Sequence, residues 1–99
     1  MQIQIHSPFE VNPLLKEVVE KKVNKLNTFF DRITKVDVFF KLEDKKTPKG
    51  KIVEINLQLP GKTAFAKESA DTYEQAIAAT ADKLERQLKK YKEKMSNVK

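Results

Sequence analysis

The sequence has no cysteine, and only two glycines and one histidine occur among its 99 residues. Without cysteine the chain has no disulfide and no thiolate ligand for a metal. The histidine, His6, has no second histidine beside it, and a metal site needs several converging ligands. Gly50 and Gly61 are too few and too far apart to build a glycine-rich phosphate loop. The adjacent Glu43 and Asp44 lie in a lysine-rich loop, where solvation accounts for them. We therefore expect no enzyme, no metal, no cofactor and no small-molecule substrate.

Long apolar runs are missing as well. The chain has no run of about eighteen apolar residues and no charged, apolar, small-residue leader at Met1. We therefore expect no membrane partner and, by default, a cytoplasmic location. A chain of 99 residues is long enough for one hydrophobic core and too short for two, so we expect a single domain over residues 1–99.

The excess in this sequence is positive charge, and it is concentrated at one end. The formal net charge is +6, and the isoelectric point is near 9.5. From Lys83 onward there are seven basic residues against two acidic ones, a surplus of five. Such a balance indicates a polyanionic partner, most often nucleic acid or an acidic membrane face. The alternative is a lysine-rich solvated surface that binds nothing in particular.

Two segments have the apolar spacing of amphipathic helices. Asn12 and Pro13 are suited to open the first helix, which we expect to run to about Phe30. The second is predicted from Asp71 to Lys94, with Asp71 and Glu74 as its capping box. The residues predicted to face a core are Leu15, Val18, Val19, Val23, Leu26, Phe29 and Phe30 in the first helix, and Tyr73, Ile77, Ala81, Leu84, Leu88, Tyr91 and Met95 in the second.

Four segments alternate between apolar and polar residues as strands do, over residues 2–6, 34–42, 51–59 and 62–69. The inward side chains of the middle two are predicted to be Val36, Val38, Phe40 and Leu42, then Val53, Ile55, Leu57 and Leu59. Pro60 and Gly61 form a turn signal that joins the last two strands as a hairpin. The order β-α-β-β-β-α predicts an α+β fold, a four-stranded sheet with both helices packed on one face. If the first two strands pair in parallel, their crossover should be right-handed.

The other face of the sheet is predicted to carry mostly polar side chains: Gln4, Lys35, Phe39, Lys41, Glu54, Asn56 and Gln58. Phe39 could stack a nucleic-acid base there, but a single exposed aromatic residue is common and usually has no such role.

The second helix also has a basic face. Lys83, Arg86, Lys90 and Lys94 recur at i, i+3, i+7 and i+11, over roughly 16 Å of one helix side. Lys89 widens this band. Cations spread over this length can contact several phosphates along a groove. They favour recognition of the shape and backbone of a nucleic acid over readout of its sequence. A solvated face and a membrane-surface helix are the alternatives, although the sheet already needs the apolar stripe.

Three stretches of the chain resemble a known family. They are KVNKLNTFFDRI over residues 22–33, FAKESADTY over residues 65–73 and DKLERQLKKYKEK over residues 82–94. With the element order, they make the whole chain similar to the bacterial ribosome hibernation factors, formerly called sigma-54 modulation proteins. Tyr73 precedes Ile77 by four residues where many members have three, which affects only the first turn of the last helix.

The resemblance implies a double-stranded-RNA-binding-like fold and binding of the small ribosomal subunit in the mRNA and A- and P-site tRNA channel, under stress or in stationary phase. It implies that ribosomal RNA is contacted by Lys22, Lys25, Lys83, Arg86, Lys89, Lys90 and Lys94. Asp31 and Arg32 match the family motif too, with an intramolecular pair or a helix end as the alternative role. A short form without a C-terminal dimerisation domain is implied, which would pair ribosomes only with a separate ribosome modulation factor. The other hypotheses are a transcription modulator that acts through protein contacts and a generic double-stranded-RNA binder.

Overall fold

A computed structural model of the protein describes residues 2–42 and 50–97, with side chains described as far as residue 94. The elements follow the predicted order, which is thereby confirmed. They are β1 (Gln2–His6), α1 (Pro13–Phe29), β2 (Lys35–Lys41), β3 (Lys51–Leu59), β4 (Lys62–Ala70) and α2 (Tyr73–Asn97). The predicted loop over residues 43–50 lies almost wholly outside the described residues, as does the Met95 side chain. The extent of the domain over residues 1–99 stays a prediction.

The four strands form one sheet in the order β1-β2-β3-β4. β1 pairs with β2 in parallel, and the other two pairs are antiparallel. The predicted hairpin between β3 and β4 is confirmed. Gly61 in its turn has a φ of 71°, a left-handed conformation that glycine adopts readily because it has no Cβ.

Both helices cover the same face of the sheet, as predicted. The tyrosines at the two ends of α2 fix its direction: the Tyr73 hydroxyl donates to the Lys41 carbonyl oxygen at 2.9 Å, and the Tyr91 hydroxyl donates to the Pro60 carbonyl oxygen at 3.0 Å. α1 packs beside α2, with the Phe30 ring edge-on to Tyr91 at 5.3 Å. The enclosed core includes Val19, Val23, Leu26, Val36, Val38, Phe40, Val53, Ile55, Leu57, Ala64, Ala66, Ile77, Leu84 and Leu88.

The start of α1 is as predicted, and the start of α2 is not. The Asn12 side chain accepts a hydrogen bond from the Leu15 amide at 2.8 Å. At α2, the Thr72 hydroxyl accepts from the Gln75 amide at 3.1 Å. Thr72 is therefore the N-cap, and the capping box predicted at Asp71 is wrong. The hydroxyl stands directly before Tyr73, the first helical residue, where the unpaired amides of the first turn need an acceptor.

Leu42 lies elsewhere than alternation predicted, and Ile52, on the face that alternation predicted, is buried rather than exposed. Leu42 is 60% exposed rather than inward, because β2 ends at Lys41 and no longer fixes its orientation. Ile52 faces away from the helices yet is only 7% exposed. Its register places it between Lys41 on β2 and Ser69 on β4. A strand with neighbours on both sides therefore shields an apolar side chain even on the open face.

Candidate nucleic-acid interface

One flank of α2 is directed towards β4. The Lys83 ammonium lies 3.3 Å from a carboxylate oxygen of Glu68 on β4, and the Gln87 side chain donates to the Phe65 carbonyl oxygen at 2.9 Å. With 3.6 residues per turn, the three other predicted cations of this helix side share that flank. We call this set the β4 flank: Lys83, Arg86, Lys90 and Lys94, all of them exposed.

Lys89 lies apart from the β4 flank, on the side of α2 that meets α1. Its ammonium is 5.2 Å from the centre of the Phe29 ring and 3.6 Å from a carboxylate oxygen of Glu85. On α1, Lys22 and Lys25 precede Phe29 by seven and four residues, so all three side chains share one helix flank. The contact between Phe29 and Lys89 shows that this flank faces α2. We call Lys22, Lys25 and Lys89 the interhelical row.

The seven predicted cations therefore form two rows, which adjoin where Arg86 and Lys89 are i, i+3 neighbours on α2. Between the rows runs the outermost strip of α2, where the exposed acidic residues Asp82 and Glu93 lie beside Arg86. Helical periodicity puts both acidic residues almost opposite the buried Leu84. A polyanion that touches both rows must therefore lie across α2, or present two separate phosphate segments.

Ion pairs divide the cations further. Lys83 pairs with Glu68 and Lys89 pairs with Glu85, in contacts open to solvent. Lys22, Lys25, Arg86, Lys90 and Lys94 form no ion pair with any side chain that the structure describes. An exposed ion pair is worth roughly 0–1 kcal/mol, so a phosphate can displace the carboxylate at low energetic cost. The five cations without an ion pair are the strongest candidates for phosphate contact.

The C-terminal part of α2 extends beyond the sheet. Tyr91 is bonded to Pro60 in the β3–β4 turn, and the Lys62 ammonium lies 5.4 Å from the centre of its ring. Residues 92–97 continue the helix past that turn. A helix of 25 residues is about 37 Å long, whereas a nine-residue strand spans about 30 Å. Lys94 is therefore on a projecting end of the helix, accessible from several directions.

The open face of the sheet carries an exposed aromatic residue that sequence reasoning missed. Phe65 is 62% exposed, and its alternation with the buried Ala64 and Ala66 is the signal that could have placed it there. Phe39 lies on this face as predicted. His6 stacks on Phe39, with ring centres 4.6 Å apart and ring planes 13° from parallel.

Other predicted positions have less defined contacts. Asp31 and Arg32 are exposed in the turn after α1, and neither forms an ion pair with a described side chain. Within residues 2–42 and 50–97, histidine and carboxylate side chains form no group of three or more that could hold a metal. None of the helices in that part of the chain is long and apolar enough to cross a bilayer.

Comparison with known proteins places this geometry in context. Residues 1–96 match the family model described as Sigma 54 modulation protein / S30EA ribosomal protein. A ribosome hibernation promoting factor of Pseudomonas putida is 38% identical over 99 residues, which cover 99% of this chain and 93% of that protein.

Two solved structures confirm the fold. A ribosomal subunit interface protein from Coxiella burnetii superposes with a TM-score of 0.82 at 32% identity, over 93% of this chain and 98% of that one. The N-terminal domain of Protein Y from Thermus thermophilus superposes with a TM-score of 0.74 at 27% identity, over 91% of this chain and 94% of that one.

Proposed function

The chain belongs to the Sigma 54 modulation protein / S30EA ribosomal protein family, and from that premise we propose that it is a ribosome hibernation factor. It binds the small ribosomal subunit in the channel used by mRNA and by the A- and P-site tRNAs, in the cytoplasm, under stress or in stationary phase. A separate ribosome modulation factor is the further partner that the resemblance implies for the pairing of ribosomes.

The observation that carries the proposal is the pair of basic rows on the helical layer. Arg86, Lys90 and Lys94 lie along about 12 Å of the β4 flank without a carboxylate partner among the described side chains. Lys22 and Lys25 add two more such cations beside α1. Phosphate backbones are the natural ligand of exposed cations spaced in this way. The name of the Pseudomonas putida relative refers to the ribosome, which supports ribosomal RNA as the source of those phosphates.

Inhibition then needs no chemical step. A folded domain seated in the channel excludes mRNA and tRNA by volume, and its cations compete for the phosphates that line the channel. The rows differ in accessibility: the β4 flank continues onto the projecting end of α2, whereas the interhelical row lies in the angle between two helices. We therefore assign the main contact with ribosomal RNA to Arg86, Lys90 and Lys94, with Lys83, Lys89, Lys22 and Lys25 as supporting contacts.

Two other functions are weaker alternatives. A transcription modulator that acts through protein contacts would not need the unpaired cations. A generic double-stranded-RNA binder would use them, but it would not distinguish a ribosome from plain duplex. The names of the relative and of the Coxiella burnetii structure refer to the ribosome and favour the first function over both.

A competition experiment separates the three functions. Labelled protein bound to intact small subunits is challenged with unlabelled subunits or with plain RNA duplex of equal phosphate content. The variant R86E/K90E is compared with K16E/K51E, which makes the same charge change at exposed residues outside both rows. We expect subunits to compete far better than duplex and only R86E/K90E to lose binding. Equal competition by duplex would indicate the generic binder, and binding indifferent to R86E/K90E would contradict the proposal.

A further inference from the structure

The open face of the sheet, opposite the helices, carries three ring side chains. His6 on β1 and Phe39 on β2 are cross-strand partners and stack nearly in parallel at 4.6 Å. Phe65 lies on β4, at the other side of the sheet, and is 62% exposed. One side of the half-buried Phe39 ring is covered by His6, and its cross-strand neighbour on the β3 side is Glu54. None of these rings is needed for the core, which lies on the opposite face.

The spacing of the rings suits nucleic-acid bases. Phe39 is in register with Glu54 on β3, and Phe65 is in register with Asn56, the next residue on the same face. The two phenylalanines are therefore two strand spacings apart across the sheet and two residues apart along it. With about 4.8 Å per strand and 3.3 Å per residue, their backbones are about 12 Å apart on a diagonal. A single strand can lay one base on each ring, as bases do on other four-stranded sheets with exposed aromatic residues.

The polar groups between the rings suit the same ligand. Asn56 and Gln58 point from β3 to the open face, and their amides can donate to and accept from base edges. Both carboxylates of this face lie near a cation: Asp37 is 3.9 Å from the Lys35 ammonium and is also 3.0 Å from Nε2 of His6, and Glu54 is 2.9 Å from the Lys41 ammonium. This pairing weakens their repulsion of a phosphate backbone.

The remaining charge of the face is positive. Three lysines at its margin (Lys35, Lys41 and Lys67) outnumber the two carboxylates by one. The attraction this offers is small, so stacking rather than charge must supply the affinity. Double-stranded RNA presents no exposed base faces to such rings, so stacking favours single-stranded RNA.

We propose that the open face of the sheet binds a segment of single-stranded RNA, with one base stacked on Phe39 and another on Phe65. His6 holds the Phe39 ring upright, and Asn56 contacts the edge of a base. The choice of RNA rests on the proposed function, whereas the stacking geometry does not. This face lies on the other side of the molecule from the two basic rows, so both can be occupied at once.

The test is fluorescence anisotropy with a labelled ten-nucleotide single-stranded RNA of mixed sequence and with its duplex. F39L/F65L keeps apolar side chains but removes the rings, and L14A removes from α1 an apolar side chain that is 72% exposed, against 62% for Phe65. We expect F39L/F65L to weaken single-strand binding by at least about tenfold, the order of one lost stacked base. L14A is expected to bind as the wild type does, and R86E/K90E to lose small-subunit binding while keeping most of the single-strand affinity.

A titration of the wild-type protein with the same RNA, followed by NMR, needs no variant to fold. Amide shifts on β2, β3 and β4 would support the proposal, and shifts confined to α1 and α2 would overturn it. In the R86E/K90E background, where the β4 flank no longer attracts phosphate, undiminished single-strand binding by F39L/F65L or a preference for the duplex would also overturn it. In each of these cases, small-subunit binding that F39L/F65L retains would leave the proposed function intact. The two proposals can therefore be refuted independently of each other.

Discussion

Replacing Arg86 and Lys90 together by alanine should change the salt dependence of ribosome binding by a calculable amount. Five cations of the two rows have no ion pair among the described side chains. With the value of about 0.9 per phosphate contact that holds for B-form duplex, five contacts give a slope of log affinity against log salt of about −4.5. Between about 50 and 200 mM salt, wild-type affinity should fall about 500-fold. R86A/K90A should have a slope of about −2.7 and lose only about 40-fold over the same range.

The assay is equilibrium binding to purified small subunits over a series of salt concentrations. Lys83 provides an internal check, because in the unbound protein its ammonium already lies 3.3 Å from a carboxylate oxygen of Glu68. K83A should change the slope less than R86A does, and E68Q should strengthen binding because it releases the Lys83 ammonium. Glu17 pairs with Lys21 at 3.4 Å outside both rows, so E17Q is the matched control and should change nothing. If R86A/K90A had the same slope of log affinity against log salt as the wild type, the β4 flank would not contact phosphate and the assignment would be refuted.

Three further predictions concern stability. L84A should lower the free energy of unfolding by about 2–5 kcal/mol because Leu84 is 0% exposed. L14A should have a free energy of unfolding within about 0.5 kcal/mol of the wild-type value. Urea denaturation measures both. N12A removes the side-chain acceptor of the Leu15 amide and should cost about 1 kcal/mol in the same assay. Burial raises the pKa of Tyr73 above its ordinary value of 10.0. The folded state thus holds this proton more tightly than the unfolded state, so stability should fall as the pH rises past about 10, and Y73F should reduce that fall.

Most of the fold could be predicted because local patterns and burial agree. The period-two alternation of Val36, Val38 and Phe40 identified both the strand and its buried face, and the three- and four-residue spacing of Leu84 and Leu88 did so for α2. The errors lie where local pattern competes with neighbours. Leu42 continues the alternation of β2 in sequence, but the ladder has ended, so its side chain is exposed.

The candidate site was less predictable than the fold. Spacing alone grouped Lys83, Arg86, Lys90 and Lys94 on one side of a helix, which the geometry of α2 reproduces. It could not show that Lys89 contacts Phe29, because the crossing of α1 and α2 depends on packing between segments sixty residues apart. The pairing of Lys83 with Glu68 on β4 is likewise a tertiary contact without a local signal.

The most direct measurement of the central claim is co-sedimentation with small subunits and whole ribosomes on sucrose gradients, at low and moderate salt. The wild type is run beside R86E/K90E and the charge-matched K16E/K51E. Lys83 is left unchanged, since a glutamate there would face Glu68 and disturb the contact between α2 and β4. We predict saturable comigration of the wild type and K16E/K51E with the small subunit, lost in R86E/K90E. A wild-type protein that stays at the top of the gradient at both salts would contradict ribosome binding.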